Sequence, residues 1–198
     1  MSNFRQVLSG IDVGPLLRQV RAHPELWSRE TEWTRKGAGA RLAIYETENI
    51  VLRYNQSRLP PSLAFLSEDE RLGITSEWND HEWDKPVLDI LSEAAGIVRS
   101  VMAAIPGDHL GKIVITRLHP GETIPWHVDA LPPGWPQYWH RYQIPLQVAQ
   151  GVRFVVGDEQ MSLAPGTVWW FNNQVRHMVS NESTTDRISM LTDVHPAR

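Results

Sequence analysis

The sequence predicts a mainly β protein with helices packed outside an antiparallel sandwich or barrel of jelly-roll type. Three observations predict it. After Pro106 and Gly107, short segments rich in β-branched residues alternate with turn residues, a pattern of six or seven strands. Before that point the clearest periodicities are helical. No internal repeat, low-complexity tract or linker divides the 198 residues. One domain over 1–198 is therefore expected, with a helical and loop-rich part at 1–106 packing on a jelly-roll core at 107–196. A compact fold of this size buries roughly 70% of the surface its unfolded chain would expose.

In chain order, residues 13–22 (VGPLLRQVRA) put Leu16, Leu17 and Val20 on one helical face, and Pro24 ends that helix early. Residues 40–54 read as two strands around a polar turn at 47–49. From 55 to 84 the chain is loop-like, with Pro60, Pro61 and an acidic run at 67–70 that reads as solvated loop. Pro86 opens a helix over 85–105, in which Val87, Ile90, Leu91, Ala94, Ile97, Val98 and Val101 recur at helical spacing. Strands follow at 112–118, 122–129, 141–148, 152–156, 167–171, 177–181 and 187–194, separated by turns at 119–121, 131–136, 157–160, 164–166 and 172–174.

Composition narrows the function classes. A formal net charge of -4 gives no general attraction to nucleic acid or to anionic membrane. With no cysteine, disulfide and thiolate chemistry are excluded, and any metal must be held by histidine and carboxylate. The opening MSNFRQVLSGIDVG lacks a signal peptide's apolar core, and no run of 18 apolar residues is present, so the expectation is a soluble, cytoplasmic protein. Most of the nine tryptophans are expected in the core, Trp169 and Trp170 among them.

The chemistry-bearing residues lie in the second half. In a strand, positions i and i+2 share a face, so His127 and Asp129 of the H-x-D segment offer an imidazole and a carboxylate to one ion. Alone that signal is weak, and a rival, His23-Pro24-Glu25, stands at a helix end. It gains weight from His177, just past the turn at Asn172 and Asn173, and from Arg187 ten residues later. Two histidines and one carboxylate form the facial triad of non-haem iron(II) oxygenases, which leaves metal positions open. A dicarboxylate co-substrate chelating there needs a permanent cation at its far end, and the planar fork of arginine suits that role.

On these residues the C-terminal half resembles the aspartyl/asparaginyl β-hydroxylase family of iron(II)/2-oxoglutarate dioxygenases, which includes free-proline hydroxylases. The matching segments are HPG at 119–121, His127, RYQIPL at 141–146, LAPGTVWWFNNQVRHMVSN with His177, and DRISMLTDVHP at 186–196. The resemblance spans about residues 110–196. It implies a cupin-like double-stranded β-helix, with iron at His127, Asp129 and His177 and Arg187 on the distal carboxylate of 2-oxoglutarate. Thr116 falls where the family places a hydroxyl near the co-substrate, Arg141 on an arginine that contacts it, and Gln143 where the family often has histidine.

Animal members carry glycine where this chain has Asp129, which aligns it with the bacterial branch, whose substrates include free amino acids. The implied reaction consumes O2 and 2-oxoglutarate, releases succinate and CO2, and hydroxylates an unactivated C–H of an amino acid, free or peptidyl (Asp/Asn/Pro-like).

An alternative is a non-catalytic cupin-like module that holds or senses a metal, since jelly-rolls host unrelated functions. A nucleic-acid demethylase is disfavoured by the acidic balance. His140 is expected at a strand edge, and His119 is expected to shape a turn. Ser189 is read as filler, and the proline-rich loop at 130–139 as either a substrate lid or a rigid turn. Oligomeric state is left open.

Overall fold

The computed structural model describes residues 2–29, 47–55, 81–129 and 140–196. Its elements are β1 (Phe4–Leu8), α1 (Gly14–Ala22), a 3-10 turn (Pro24–Leu26), β2 (Ser28–Arg29), β3 (Glu48–Asn55), β4 (His81–Trp83), α2 (Lys85–Ile90), α3 (Glu93–Ala104), β5 (Gly107–Leu118), β6 (Thr123–His127), β7 (His140–Gln147), β8 (Val152–Val156), β9 (Glu159–Met161), β10 (Val168–Phe171), β11 (His177–Asn181) and β12 (Arg187–Pro196). An eight-stranded sheet runs in the order β1-β10-β7-β12-β5-β3-β2, with β4 beside β3, and a four-stranded sheet runs β6-β11-β8-β9. Their strands pair antiparallel throughout. The expected jelly-roll with helices outside is the architecture found.

Alternation along the central strands gives the large sheet two different faces. Ile113, Ile115, Ile144, Leu146, Ile188 and Met190 lie under the helices and form one core with Leu16 and Val20 of α1 and with Ala94, Ile97, Val98 and Val101 of α3. The opposite face meets the small sheet. There Phe4, Leu118 and Phe171 pack against Phe154, Val156 and Val179 in a second, smaller core. Residues on this inner side of β5, β7 and β12 therefore look into the space between the sheets.

Several expectations about the first half change. Besides the strand expected near 50, which pairs with β5 as β3, the N-terminal part adds β1, paired with β10, and β2 and β4, which extend β3. These strands cover edges that the core strands would otherwise leave with unpaired backbone groups. Only the second of the two strands expected in 40–54 lies among the described residues, and it begins inside the anticipated turn. The acidic run at 67–70 and the loop at 130–139 lie outside the described residues.

The anticipated helix over 85–105 is two helices. Asp84 caps α2 by accepting from the Val87 N–H at 3.2 Å. The chain leaves the helical region at Leu91 (φ -98°, ψ 48°), whose side chain is fully buried in the main core. No glycine or proline announces that break; burial of Leu91 does. Within the anticipated turn at 157–160, Gly157 and Asp158 alone turn the chain and Glu159 already begins β9.

Candidate active site

β11 runs between β6 and β8 in the small sheet and begins at His177, which is 3% exposed. Across the ladder His177 is paired with His127, the last residue of β6. The next inward pair is Val179 with Ile124, so β6 spends three residues where β11 spends two. A bulge at Pro125 and Trp126 absorbs the difference and returns His127 to the inner side, as bulges do when a side chain must be re-aimed. Proline, which has no N–H for the ladder, is accommodated at such a position. Trp126 is left outward, 44% exposed, beneath the guanidinium of Arg176.

The strand alternation expected to place Asp129 beside His127 is not the device used. β6 ends at His127, and Asp129 stands two residues beyond it. Its backbone N–H donates to the Asn173 carbonyl at 3.1 Å, tying it to the turn that precedes β11. Its carboxylate Oδ1 lies 3.4 Å from His127 Nε2 and 3.7 Å from His177 Nε2. One ligand atom from each residue can be chosen so that all lie within 4.8 Å of one another. Among the described residues no other histidine and carboxylate group converges in this way. The rival His23 is paired with Glu25 at an exposed helix end.

Hydrogen bonding fixes the tautomers. His127 Nδ1 lies 2.8 Å from the Pro125 carbonyl and His177 Nδ1 lies 2.9 Å from the Val175 carbonyl. A carbonyl only accepts, so each Nδ1 carries a proton, which leaves Nε2 as the ring nitrogen that can offer a lone pair to a metal. Burial, the largest influence, pushes the His177 imidazole below its ordinary value, against the opposing charge of Asp129. Burial also acts to raise the Asp129 carboxyl. The charge of Arg141 leads the opposing influences, which outweigh burial and hold the group well below the usual carboxylate range. Two nitrogen lone pairs and an ionised oxygen thus converge in a shielded space. That donor set fits a divalent cation such as iron(II) and leaves several coordination positions to other ligands.

The inner face of the large sheet supplies a polar wall. Asn49 of β3, Thr116 of β5 and Ser189 of β12 stand in register across three strands, and all are buried. Gln143 of β7 is also buried and donates from Nε2 to Ser189 Oγ at 3.3 Å. Thr116 Oγ1 donates to the Ser189 carbonyl at 3.4 Å. Thr116, Gln143 and Ser189 are therefore brought together.

Arg187 opens β12 opposite Leu118, a residue of the inner core, and is only 3% exposed. Burial alone pushes its guanidinium down to about 10, and it meets no carboxylate among the described residues. An ionised side chain in that position favours an anionic partner.

Arg141, expected to contact the co-substrate, lies among protein carboxylates. Its Nε and Nη2 donate to the two carboxylate oxygens of Asp193 at 2.7 and 2.9 Å, and its Nη1 donates to Asp129 Oδ2 at 2.7 Å. Protein carboxylates occupy the fork that the resemblance assigns to co-substrate. Asp193 was missed by sequence reasoning, although it repeats the inward, every-second-residue pattern of Arg187 and Ser189 on β12.

His140 sits at the start of β7, on the other face, edge-on to Tyr142 and Trp170. His119 bonds Asp186 and Glu48 rather than approaching the histidine pair.

Residues 77–196 match the model of the family described as aspartyl/asparaginyl beta-hydroxylase. The chain belongs to this family. It is accordingly an oxygenase whose cofactors are iron(II), 2-oxoglutarate and O2, in keeping with the His-Asp-His donor set. No curated protein matches the chain.

Among solved structures, an oxidoreductase of the 2OG-Fe(II) oxygenase family from Burkholderia pseudomallei is similar over 94% of this chain and 92% of its own, with TM-score 0.51 and 14% identity. A viral collagen prolyl hydroxylase from Paramecium bursaria Chlorella virus-1 is similar over 100% of this chain and 91% of its own, with TM-score 0.50 and 9% identity. These likenesses show a shared fold. No helix among the described residues is long and apolar enough to cross a membrane.

Proposed function

We propose that the chain hydroxylates an unactivated C–H bond of an amino acid, free or within a short peptide, of the aspartate, asparagine or proline kind. The observation that carries this reading is the pairing of the His127–Asp129–His177 donor set with a buried arginine, Arg187, that has no carboxylate partner among the described residues. A module that merely holds a metal needs no such cation. When bound, the iron supplies activation of O2 coupled to decarboxylation of 2-oxoglutarate, which yields succinate and CO2 and places one oxygen atom in the C–H bond.

The chain's own residues do the positioning. His127 and His177 direct Nε2 at the metal position, and Asp129 adds one ionised oxygen. Arg187 takes the far carboxylate of 2-oxoglutarate through two hydrogen bonds, a geometry that lysine does not reproduce. Thr116, Gln143 and Ser189 offer hydroxyl and amide groups along the co-substrate's path, while Phe154, Phe171 and Val156 behind His177 keep bulk water out. The partner is read as a small amino acid or peptide in the cytoplasm rather than nucleic acid, on the net charge of -4.

The experiment is a screen for 2-oxoglutarate-dependent succinate release over free amino acids and short peptides, with mass spectrometry of each hit. A product heavier by one oxygen atom is expected. Absence of succinate release with any candidate, in a preparation that binds neither metal nor 2-oxoglutarate, overturns the reading.

A further inference from the structure

Asp193 has no part in the reading above, yet it sits at the root of the metal site. It is on the inner side of β12, directly across the ladder from Arg141 of β7. Its two carboxylate oxygens take Nε and Nη2 of Arg141 side by side, the bidentate arrangement that fixes a guanidinium plane. With that plane fixed, Nη1 points at Asp129 Oδ2 and holds it at 2.7 Å. The other oxygen of Asp129, Oδ1, is the one turned to both Nε2 atoms. Asp129 and Asp193 are each largely shielded from water and Arg141 partly so, which limits the screening that weakens exposed pairs.

We infer that Asp193 is a positioning residue for the metal ligand Asp129, acting through Arg141, and that the clamp makes Asp129 a one-oxygen ligand. Two consequences distinguish this from a general structural role. Arg141 is committed to protein carboxylates, so loss of Asp193 weakens the metal more than the co-substrate. The effect also passes through Arg141, so it vanishes when Arg141 is absent. Asp129 follows a strand end and is attached to no ladder of its own. It therefore depends on the Asn173 carbonyl and on Arg141 for its orientation. Groups that orient a metal's ligands in this way change metal affinity by roughly 10–100-fold when removed.

The inference rests on the donor set proposed above, and the test separates the two. Mn2+ and Co2+ are titrated calorimetrically into the metal-free full chain as wild type, His177→Ala, Asp193→Asn, Arg141→Gln and the Asp193→Asn/Arg141→Gln pair. The visible bands of the Co2+ forms and the melting curves are recorded alongside. Expected results are one site in wild type, its loss in His177→Ala, a weakening of about 10-fold or more in Asp193→Asn with altered Co2+ bands, and no further loss when Asp193→Asn is added to Arg141→Gln.

Wild-type affinity in a folded Asp193→Asn chain overturns the positioning role while leaving the donor set standing. A site indifferent to His177→Ala overturns both. Weakened 2-oxoglutarate binding with unchanged metal affinity also overturns the role, because Arg141 then serves the co-substrate. If Asp193→Asn does not fold, Arg141→Lys carries the test. A lone ammonium cannot hold both carboxylates as the fork does, so weakened metal binding supports the clamp and unchanged binding overturns it.

Discussion

His177 and His127 stand opposite each other across β11 and β6, with ring centroids 4.1 Å apart. The pairing ties both imidazoles to one ladder, so the bite of the site is set by sheet geometry. His177→Ala is expected to lower Mn2+ affinity on the order of 100-fold or more, beyond the loss typical of a merely supporting group, and to abolish succinate release. Calorimetric titration of the metal-free protein checks it; tight binding that survives the substitution rules His177 out as a ligand.

Arg187 makes an unusual prediction because its charge is buried without a carboxylate partner among the described residues. Replacing a buried ion pair by well-packed apolar side chains often leaves a protein as stable or more stable, by about 1–4 kcal/mol, and a buried ion without a protein partner has no Coulombic attraction to lose. Arg187→Met is therefore expected to melt at or above the wild-type temperature without ligands. The same change raises KM for 2-oxoglutarate by roughly 30-fold or more, corresponding to about 2 kcal/mol for a lost buried charge pair. A stable variant with unchanged KM removes Arg187 from the co-substrate.

The His119 cluster predicts a pH dependence. His119 Nδ1 lies 2.8 Å from Asp186 and its Nε2 lies 3.0 Å from Glu48. Burial acts to lower the imidazole, but the hydrogen bond and charge of Asp186, with Glu122 and Glu48, leave it raised above its ordinary 6.5. A raised folded-state value means the contribution is complete below about pH 6.5 and is lost as pH rises through the folded value. Melting temperatures of wild type and His119→Gln are expected to differ most near about pH 5.5–6 and to converge toward about pH 9. A gap that stays constant across that range refutes the protonated cluster.

Two glycines offer a matched pair. Gly166 (φ +76°) and Gly121 (φ +84°) both occupy the left-handed region, but a Cβ on Gly166 would lie 2.5 Å from the Ile11 carbonyl oxygen, whereas one on Gly121 meets nothing within 4 Å. Gly121→Ala is expected to cost about 1–2 kcal/mol from backbone conformation alone. Gly166→Ala adds a clash at the point where the Ile11 N–H donates to the Gly166 carbonyl. Its melting temperature is expected to fall further, at about 2–4 °C for each kcal/mol in a chain of this length. Equal shifts count against the clash.

The jelly-roll core and the donor set were legible because they depend on local signals: β-branched runs between turn residues, and imidazole, carboxylate and guanidinium groups in a telling order. What stayed hidden depends on partners far away in the chain. β1 is a strand because β10 needs a neighbour, and nothing within Phe4–Leu8 announces it. The bulge at Pro125 and Trp126 exists only relative to β11, so the simple alternation drawn from H-x-D gave the right residues for an incorrect reason. The helix break at Leu91 follows from core packing. The ion pair of Arg141 with Asp193 lies across a ladder that sequence does not display.

β12 is paired on both sides, to β5 and to β7. It carries Arg187 at its start and Asp193 six positions on, so the distance between this guanidinium and the acid that grips Arg141 is a ruler of roughly 3.4 Å per residue. Lengthening or shortening it requires breaking two ladders at once. On the proposed function such a ruler is expected to sort dicarboxylates by chain length, so that homologues one methylene longer or shorter than 2-oxoglutarate support far slower succinate-type release than 2-oxoglutarate itself.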